Sequence, residues 1–497
     1  MTTLQGRQEK IQNKRKQTPW RNFVKGIASW RPITFYKNSG FISRFPETNR
    51  IGTILSHKEF DATRDNLPYE ELEENVGFFP QMQNFFLHSY FSPTYQVAWS
   101  ENSEYSDMVL NGKNTYLSTI SVYDCENIFY SFATREWSTN VFNSTMVFES
   151  SNNVYESKSI ISSSNIFFSH YLSNCYDMWF CSNCIWCSDC IACDKLENQT
   201  YCIKNKQYSK EEYDRLKDKI LSDKWHYTTS SSKLNNLWSN NGSTNVVGSF
   251  LVNSTDKTNG YYSYNIKTGR NIMYMWWAGE NENMYDIFVG WAIQWQHFYA
   301  VQGAWNSEHI YCSIGINDSA GIFYSMYCSQ CSFCLWCIGL QNKQFCILNK
   351  QYSKEEWHQK VDEIFAQMEQ DGTLWEFFPP SMNPFYFNDT AAYLIDPTFT
   401  KEEVTKLWYL RRDQPIKVDI PTNIDVVKTS ELSHYEWFDN EWKWTINTNI
   451  LDKIIVDGTG NYYRIVQMEY DFLVKHWLPL PRQHWLDRMK QNFTITL

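Results

Sequence analysis

Cys181, Cys184, Cys187, Cys190 and Cys193 follow one another at intervals of three residues, and Cys202 closes the run. The block returns further on: Cys184, Cys187, Cys190, Cys193 and Cys202 find partners at one constant offset in Cys328, Cys331, Cys334, Cys337 and Cys346. Thiols so spaced admit several chemistries. CxxC pairs can supply zinc thiolates, at ~2.3 Å in a tetrahedral site. An iron–sulfur cluster accepts CxxCxxC spacing, although Asp194 stands where the usual Cys-Pro would close it. Redox CxxC chemistry needs a strand-to-helix turn of the thioredoxin kind, which the surroundings do not suggest. Equally, free cysteine behaves as a small buried hydrophobe, and positions three apart can return to inward sites of a solenoid. Cys181 aligns with Ser325 and Cys175 with Ser319, as a slot for small residues would allow. A buried ladder and a metal site, zinc before iron–sulfur, both remain open for these eleven cysteines.

Other chemistry is thin. The 10 histidines are scattered, without HxxxH or HExxH spacing, and no Walker loop or GxSxG elbow occurs. Asp457-Gly458-Thr459-Gly460 is followed by Asn461-Tyr462-Tyr463 and reads as a hairpin turn. A net charge of −10 argues against a nucleic-acid coat, which needs clustered Lys and Arg. The one basic tract, from Arg7 to Lys16, reads as a solvated tail. No apolar run approaches the ~20 residues that span a bilayer, and the first residues lack a signal-peptide core. The expectation is a cytoplasmic protein with no membrane partner, where thiols stay reduced.

The elements that would position the cysteines can be read around them. Asn140-Val141, Asn153-Val154, Asn165-Ile166, Asn174-Cys175 and Asn183-Cys184 recur among serines, with polar corners around apolar residues. That is the pattern of a short-coil β-solenoid, whose turns bury apolar positions only by stacking. His297-Phe298, His309-Ile310 and Gly321-Ile322 continue it in the second copy. Ser209-Lys-Glu-Glu212, Ser353-Lys-Glu-Glu356 and Thr400-Lys-Glu-Glu403 are capping boxes that open helices. Asp61–Glu73 reads as an acidic helix. The predicted fold is mainly β with helices: duplicated β-solenoid units, each closed by a capped helix, and a small α+β C-terminal domain. The expected divisions are an N-terminal mixed region (1–125), a first Cys-rich repeat (126–221), a Ser/Asn-rich excursion (222–269), a second repeat (270–369) and the C-terminal domain (370–497).

The Cys triplets with their Asn-Lys-Gln-Tyr-Ser-Lys-Glu-Glu ending resemble an uncharacterised Cys-block family of reduced-genome candidate-phylum bacteria. Asn102-Ser103-Glu104-Tyr105, Phe387-Asn388-Asp389-Thr390-Ala391 and Leu478-Pro479-Leu480-Pro481-Arg482 carry the same resemblance. It implies a protein of unknown function, in relatives often ending in a zinc ribbon. Here Val456-Asp457 replaces an expected ribbon cysteine, and no Cys follows Cys346. Tryptophan (22) also outnumbers glycine (19). Trp186, Trp276, Trp277, Trp336, Trp375, Trp477 and Trp485 stand where glycine would fit. The expectation is that UGA codons meant as glycine have been read as tryptophan, a code that the resemblance also implies. The functional expectation is a non-enzymatic structural or binding protein with a protein partner on its solenoid face. The alternative is a zinc or iron–sulfur protein with a redox or nucleic-acid role.

Overall fold

The computed structural model describes residues 20–222 and 310–493, apart from 27, 39, 74–75, 98–99, 120–121, 317–318, 375, 415–419 and 441–442, together with four short strands between 244 and 299. It is mainly β, and a parallel β-solenoid is its largest feature. The chain forms two compact units, one combining Met1–Val97 with Trp238–Arg412 and the other combining Ala98–Leu237 with Asp413–Leu497. Each contains one solenoid stack.

In the unit that begins at Ala98, strands Lys113–Tyr116, Glu126–Phe129, Thr139–Phe142, Asn152–Tyr155, Ser164–Phe167, Tyr176–Trp179, Ser188–Ile191 and Thr200–Ile203 pair successively in parallel. A second parallel ladder runs through Phe132–Thr134, Thr145–Phe148, Lys158–Ile161, His170–Ser173 and Ser182–Ile185. Val141 lies over Val154, then Ile166, Met178 and Cys190. The turns from Asn114 to Asn153 therefore take 13 residues, and the ones before and after take 12. Asp177 is the ladder partner of Asn165, so Asn174 and Asn183 mark other corners of the turn. The coiling also begins earlier than expected, with Val109 already paired to Val122.

A left-handed residue in every third position produces the coil. Asn140, Asn143 and Met146 have φ of 54°, 51° and 59°, and the residue after each (Val141, Ser144, Val147) is fully buried. Four such triplets close a 12-residue turn. In two of the 13-residue turns the extra residue is absorbed by left-handed pairs, Glu136–Trp137 and Glu149–Ser150. Left-handed backbone costs roughly 1–2 kcal/mol per non-glycine residue. Asparagine tolerates it best, and here it gains a partner. Asn102, Asn114, Asn127, Asn140, Asn153 and Asn165 form a ladder in which each side-chain amide donates to the next at 2.9–3.2 Å.

The stack ends in a two-residue turn at Lys204–Asn205, both left-handed, after which Lys206–Gln207 returns antiparallel. Helix Lys210–Ser222 follows, with the Glu212 amide donating to the Ser209 hydroxyl. Tyr213 is buried against Tyr201 of the last rung. In the same unit, helices Gln467–Lys475 and Trp485–Phe493 lie on the first ladder. Phe472 packs on Phe142, His476 on Phe167, and Trp485 stacks on Tyr130. Trp485 is thus a packed aromatic. Strands Ile454–Val456 and Tyr462–Tyr463 form the hairpin expected at Asp457–Gly460.

The other unit repeats the plan with strands Glu282–Tyr285, Gln296–Tyr299, Ile310–Tyr311, Ala320–Phe323, Ser332–Leu335 and Gln344–Ile347, and the antiparallel return Lys350–Gln351. Its helix Lys354–Gln370 opens with a complete capping box, and Trp357 Nε1 donates to Cys346 O at 3.1 Å. Asp61–Glu73 departs from expectation. Helix His57–Thr63 starts at its own capping box on Ser56, a short 3₁₀ turn ends at Asn66, and Pro68 prevents continuation. The excursion expected at 222–269 lies outside the described residues except for strands Thr244–Val246 and Thr255–Thr258; Trp276, Trp277 and Trp375 lie outside them altogether.

Candidate functional site

The solenoid interior has four columns of inward residues, and the cysteines fill their later parts. One column runs Thr115, Ile128, Val141, Val154, Ile166, Met178, Cys190, Cys202. The next runs Ser118, Ser131, Ser144, Ser157, Ser169, Cys181 and Cys193, each buried. Each member of this second column accepts the backbone N–H of the next: Ser131 N donates to Ser118 Oγ, Ser157 N to Ser144 Oγ, Cys181 N to Ser169 Oγ, and Cys193 N to Cys181 Sγ. Each hydroxyl or thiol also donates to the carbonyl two residues before it, as Ser144 does to Phe142 O and Cys181 to Trp179 O. Serine and cysteine are interchangeable here because both offer one donor and one acceptor on a short stem.

Cys184 lies under Leu172 in the third column, and Cys175 and Cys187 belong to the fourth. In the second stack Cys334 and Cys346 pair in register below Ile322, Cys337 N donates to Ser325 Oγ, and Cys331 N donates to Ser319 Oγ. Cys328 donates to Met326 O, giving it the same relation as Cys184 to Ser182 O. All eleven candidate residues are buried, and each thiol reaches the carbonyl two residues back at 3.1–3.6 Å. All 14 cysteines are free. Burial pushes the thiols of Cys125, Cys181, Cys202, Cys328 and Cys337 above their ordinary range, whereas hydrogen bonds from neighbouring thiols lower those of Cys187, Cys193, Cys331 and Cys346. Among the described residues, no group of three or more His, Cys, Asp or Glu is arranged to hold a metal ion.

Sequence reasoning left two features unread. One is a buried ion pair between Glu469 and Arg488 (3.2 Å), with the Arg488 guanidinium 5.5 Å over Tyr130, where the C-terminal helices meet the first stack. Burial raises the Glu469 carboxyl above its usual range despite Arg488. Tyr130 and the helix Trp485–Phe493 that carries Arg488 are far apart in sequence, so no local pattern announces the contact. The other feature is the cap. Asn205 holds Asp194 by both backbone groups, its Oδ1 accepting from Asp194 N and its Nδ2 donating to Asp194 O, each at 2.9 Å. Asn349 does the same to Ile338. In each case a side-chain amide stands in for one more rung, and the identical Asn-Lys-Gln-Tyr in both copies was the available signal.

Among the described residues no helix is long and apolar enough to cross a membrane. No family model, curated protein or solved structure matches this chain.

Proposed function

We propose that this protein is a non-enzymatic scaffold that binds other proteins on the outside of its solenoid, in a reducing compartment such as the cytoplasm. The observation that carries the reading is the use made of the thiols. Each of the eleven is buried and engaged with the backbone, as serine is in earlier turns. Fourteen free thiols fit a reducing compartment. The same reading extends to the Cys-block family that the motifs resemble. A zinc or iron–sulfur protein is the alternative, in which several of these thiols would be deprotonated ligands.

Elemental analysis of protein purified without a metal-affinity tag separates the two. The scaffold reading expects no stoichiometric zinc or iron. It also expects Cys184→Ala to cost roughly 1–3 kcal/mol in denaturant unfolding, the size of a small cavity. Stoichiometric metal that Cys184→Ala or Cys331→Ala releases, together with local order, would overturn it.

A further inference from the structure

The two caps are built alike, but among the described residues only the second is covered. Across its outer edge lies a strap, Leu67-Pro68-Tyr69-Glu70-Glu71. Asn349 Nδ2 donates to Pro68 O (3.0 Å), Glu70 N donates to Leu348 O (3.1 Å), and Lys350 Nζ reaches both Glu71 carboxylate oxygens at 2.6 Å. Upstream, Arg64 Nη1 donates to Gln341 Oε1 at 2.6 Å. The apolar part of the strap rests on Gly339, where a Cβ would stand 3.1 Å from Phe60 and 3.4 Å from Leu67. Leu348 is buried and Asn349 half-buried as a result.

In the first cap Lys204, Asn205 and Lys206 occupy the places of Leu348, Asn349 and Lys350. Backbone geometry is shared: Lys204 and Asn205 have φ of 51° and 61°, Leu348 and Asn349 of 49° and 64°. Lys204, Asn205 and Lys206 are all exposed, and no described residue lies on them as the strap lies on the second cap. Lys195 replaces Gly339, so the close approach of Phe60 and Leu67 has no counterpart. The nearby Asp194 carboxylate takes Ser182 Oγ (2.6 Å) and Asn183 Nδ2 (2.9 Å) on Oδ1, while its Oδ2 stands 4.0 Å from Lys195 Nζ, an exposed pair that a partner's carboxylate would share.

We infer that the first cap is a docking site for an extended acidic peptide segment of a partner protein. This rests on the scaffold reading and names its surface. The segment would lie as the strap does, donating one backbone N–H to Lys204 O and offering one carbonyl to Asn205 Nδ2. A carboxylate would pair with Lys206 as Glu71 pairs with Lys350. Backbone bonds supply the affinity of such edge additions, and side chains supply the choice of partner. With Lys195 and Lys204 in place of Gly339 and Leu348, the site favours a carboxylate where the strap carries Leu67.

The test uses the full chain and two fluorescein-labelled peptides, Asn-Leu-Pro-Tyr-Glu-Glu-Leu-Glu-Glu (residues 66–74) and the same peptide with its first Leu replaced by Glu. Fluorescence anisotropy should show saturable binding, tighter for the Glu peptide and weakened by added NaCl. Lys204→Glu with Lys206→Glu should weaken it by about tenfold or more, whereas Lys350→Glu should leave it unchanged. These lysines are on the surface, so circular dichroism should match wild type. Absence of saturable binding would overturn the inference, as would binding that responds to Lys350→Glu, which marks displacement of the chain's own strap. Concentration-dependent mass in light scattering that disappears on Lys206→Glu would also overturn it, making the occupant a second copy. Metal content is read separately, so failure here leaves the scaffold reading to its own test.

Discussion

Trp408 and Trp477 occupy the position at which a helix end most wants glycine. Helices Lys401–Lys406, Gln467–Lys475 and Lys354–Gln370 all close with the same pair of bonds. In the first, Trp408 N donates to Thr405 O and Tyr409 N to Val404 O; in the second, Trp477 N to Val474 O and Leu478 N to Leu473 O; in the third, Gly372 N to Glu369 O and Thr373 N to Met368 O. The left-handed residue of this motif is Gly372 at φ 70°, but tryptophan at φ 67° and 58° in the other two. The Trp408 side chain is 72% exposed, so little packing offsets the strain. Trp186 is similar, at φ 56° and exposed, whereas Trp336 is left-handed yet buried against Phe78 with its Nε1 unpaired among the described residues. Trp408→Gly and Trp477→Gly should each raise stability by about 1 kcal/mol in denaturant unfolding, and Gly372→Trp should lower it. Recoding is read independently, from the masses of native peptides: glycine at 186 and 336 would support it, and tryptophan at both would end it.

At the scale of elements, the docked helix Gln467–Lys475 carries a proton-sensitive group at its end. His476 packs between Phe167 and Phe472, and its buried Nε2 finds no partner among the described residues. Burial, reinforced by Lys475 and partly opposed by Asp177, lowers its pKa to about 4. A histidine depressed in the folded state binds its proton more readily when unfolded. Its contribution is therefore complete above its unfolded pKa of ~6.5 and is lost as pH falls toward 4. His484, lowered to about 4 by burial and Arg488, acts with the same sign, while the raised carboxyls of Glu156 and Glu469 act with the opposite one. A difference measurement isolates one group. Between pH 6.5 and 4, the dependence of unfolding free energy on pH should be shallower in His476→Leu by about one bound proton. Equal slopes would show that His476 titrates normally. Helix starts of this kind were legible because capping boxes are local: Ser209, Ser353 and Thr400 all accept the expected amide. What each helix packs against was not, since Phe142 and Phe472 meet only in the fold.

For the whole molecule, the β-solenoid could be read because stacking forces a repeat, and three-residue cysteine spacing is the period of inward positions. The turn length was harder. Asparagines mark more than one corner, so their spacings of 13, 12, 9 and 9 mixed three corners of one turn, and only the register separates them. Whether thiols fill space or hold an ion also lies beyond spacing, because both uses place sulfur inward. The ladder makes a sharper demand: the molecule should count residues in twelves. Deleting Ser188–Gln199 removes one turn and joins Cys187 to Thr200. Thr200–Ile203 then pairs with Tyr176–Trp179, Cys202 inherits the place of Cys190, and every left-handed triplet stays in phase. The loss is one rung interface and the Lys217–Asp177 pair. In a stack held by nearest-neighbour contacts that amounts to about a few kcal/mol. Deleting Ser188–Cys193 instead rotates everything after it by half a turn. That carries Tyr213 and its helix to the opposite face, away from Asp177. The full-turn deletion should keep the β-type circular dichroism and cooperative unfolding of the parent, and the half-turn deletion should lose both. Equal behaviour of the two would mean that the columns do not govern the fold.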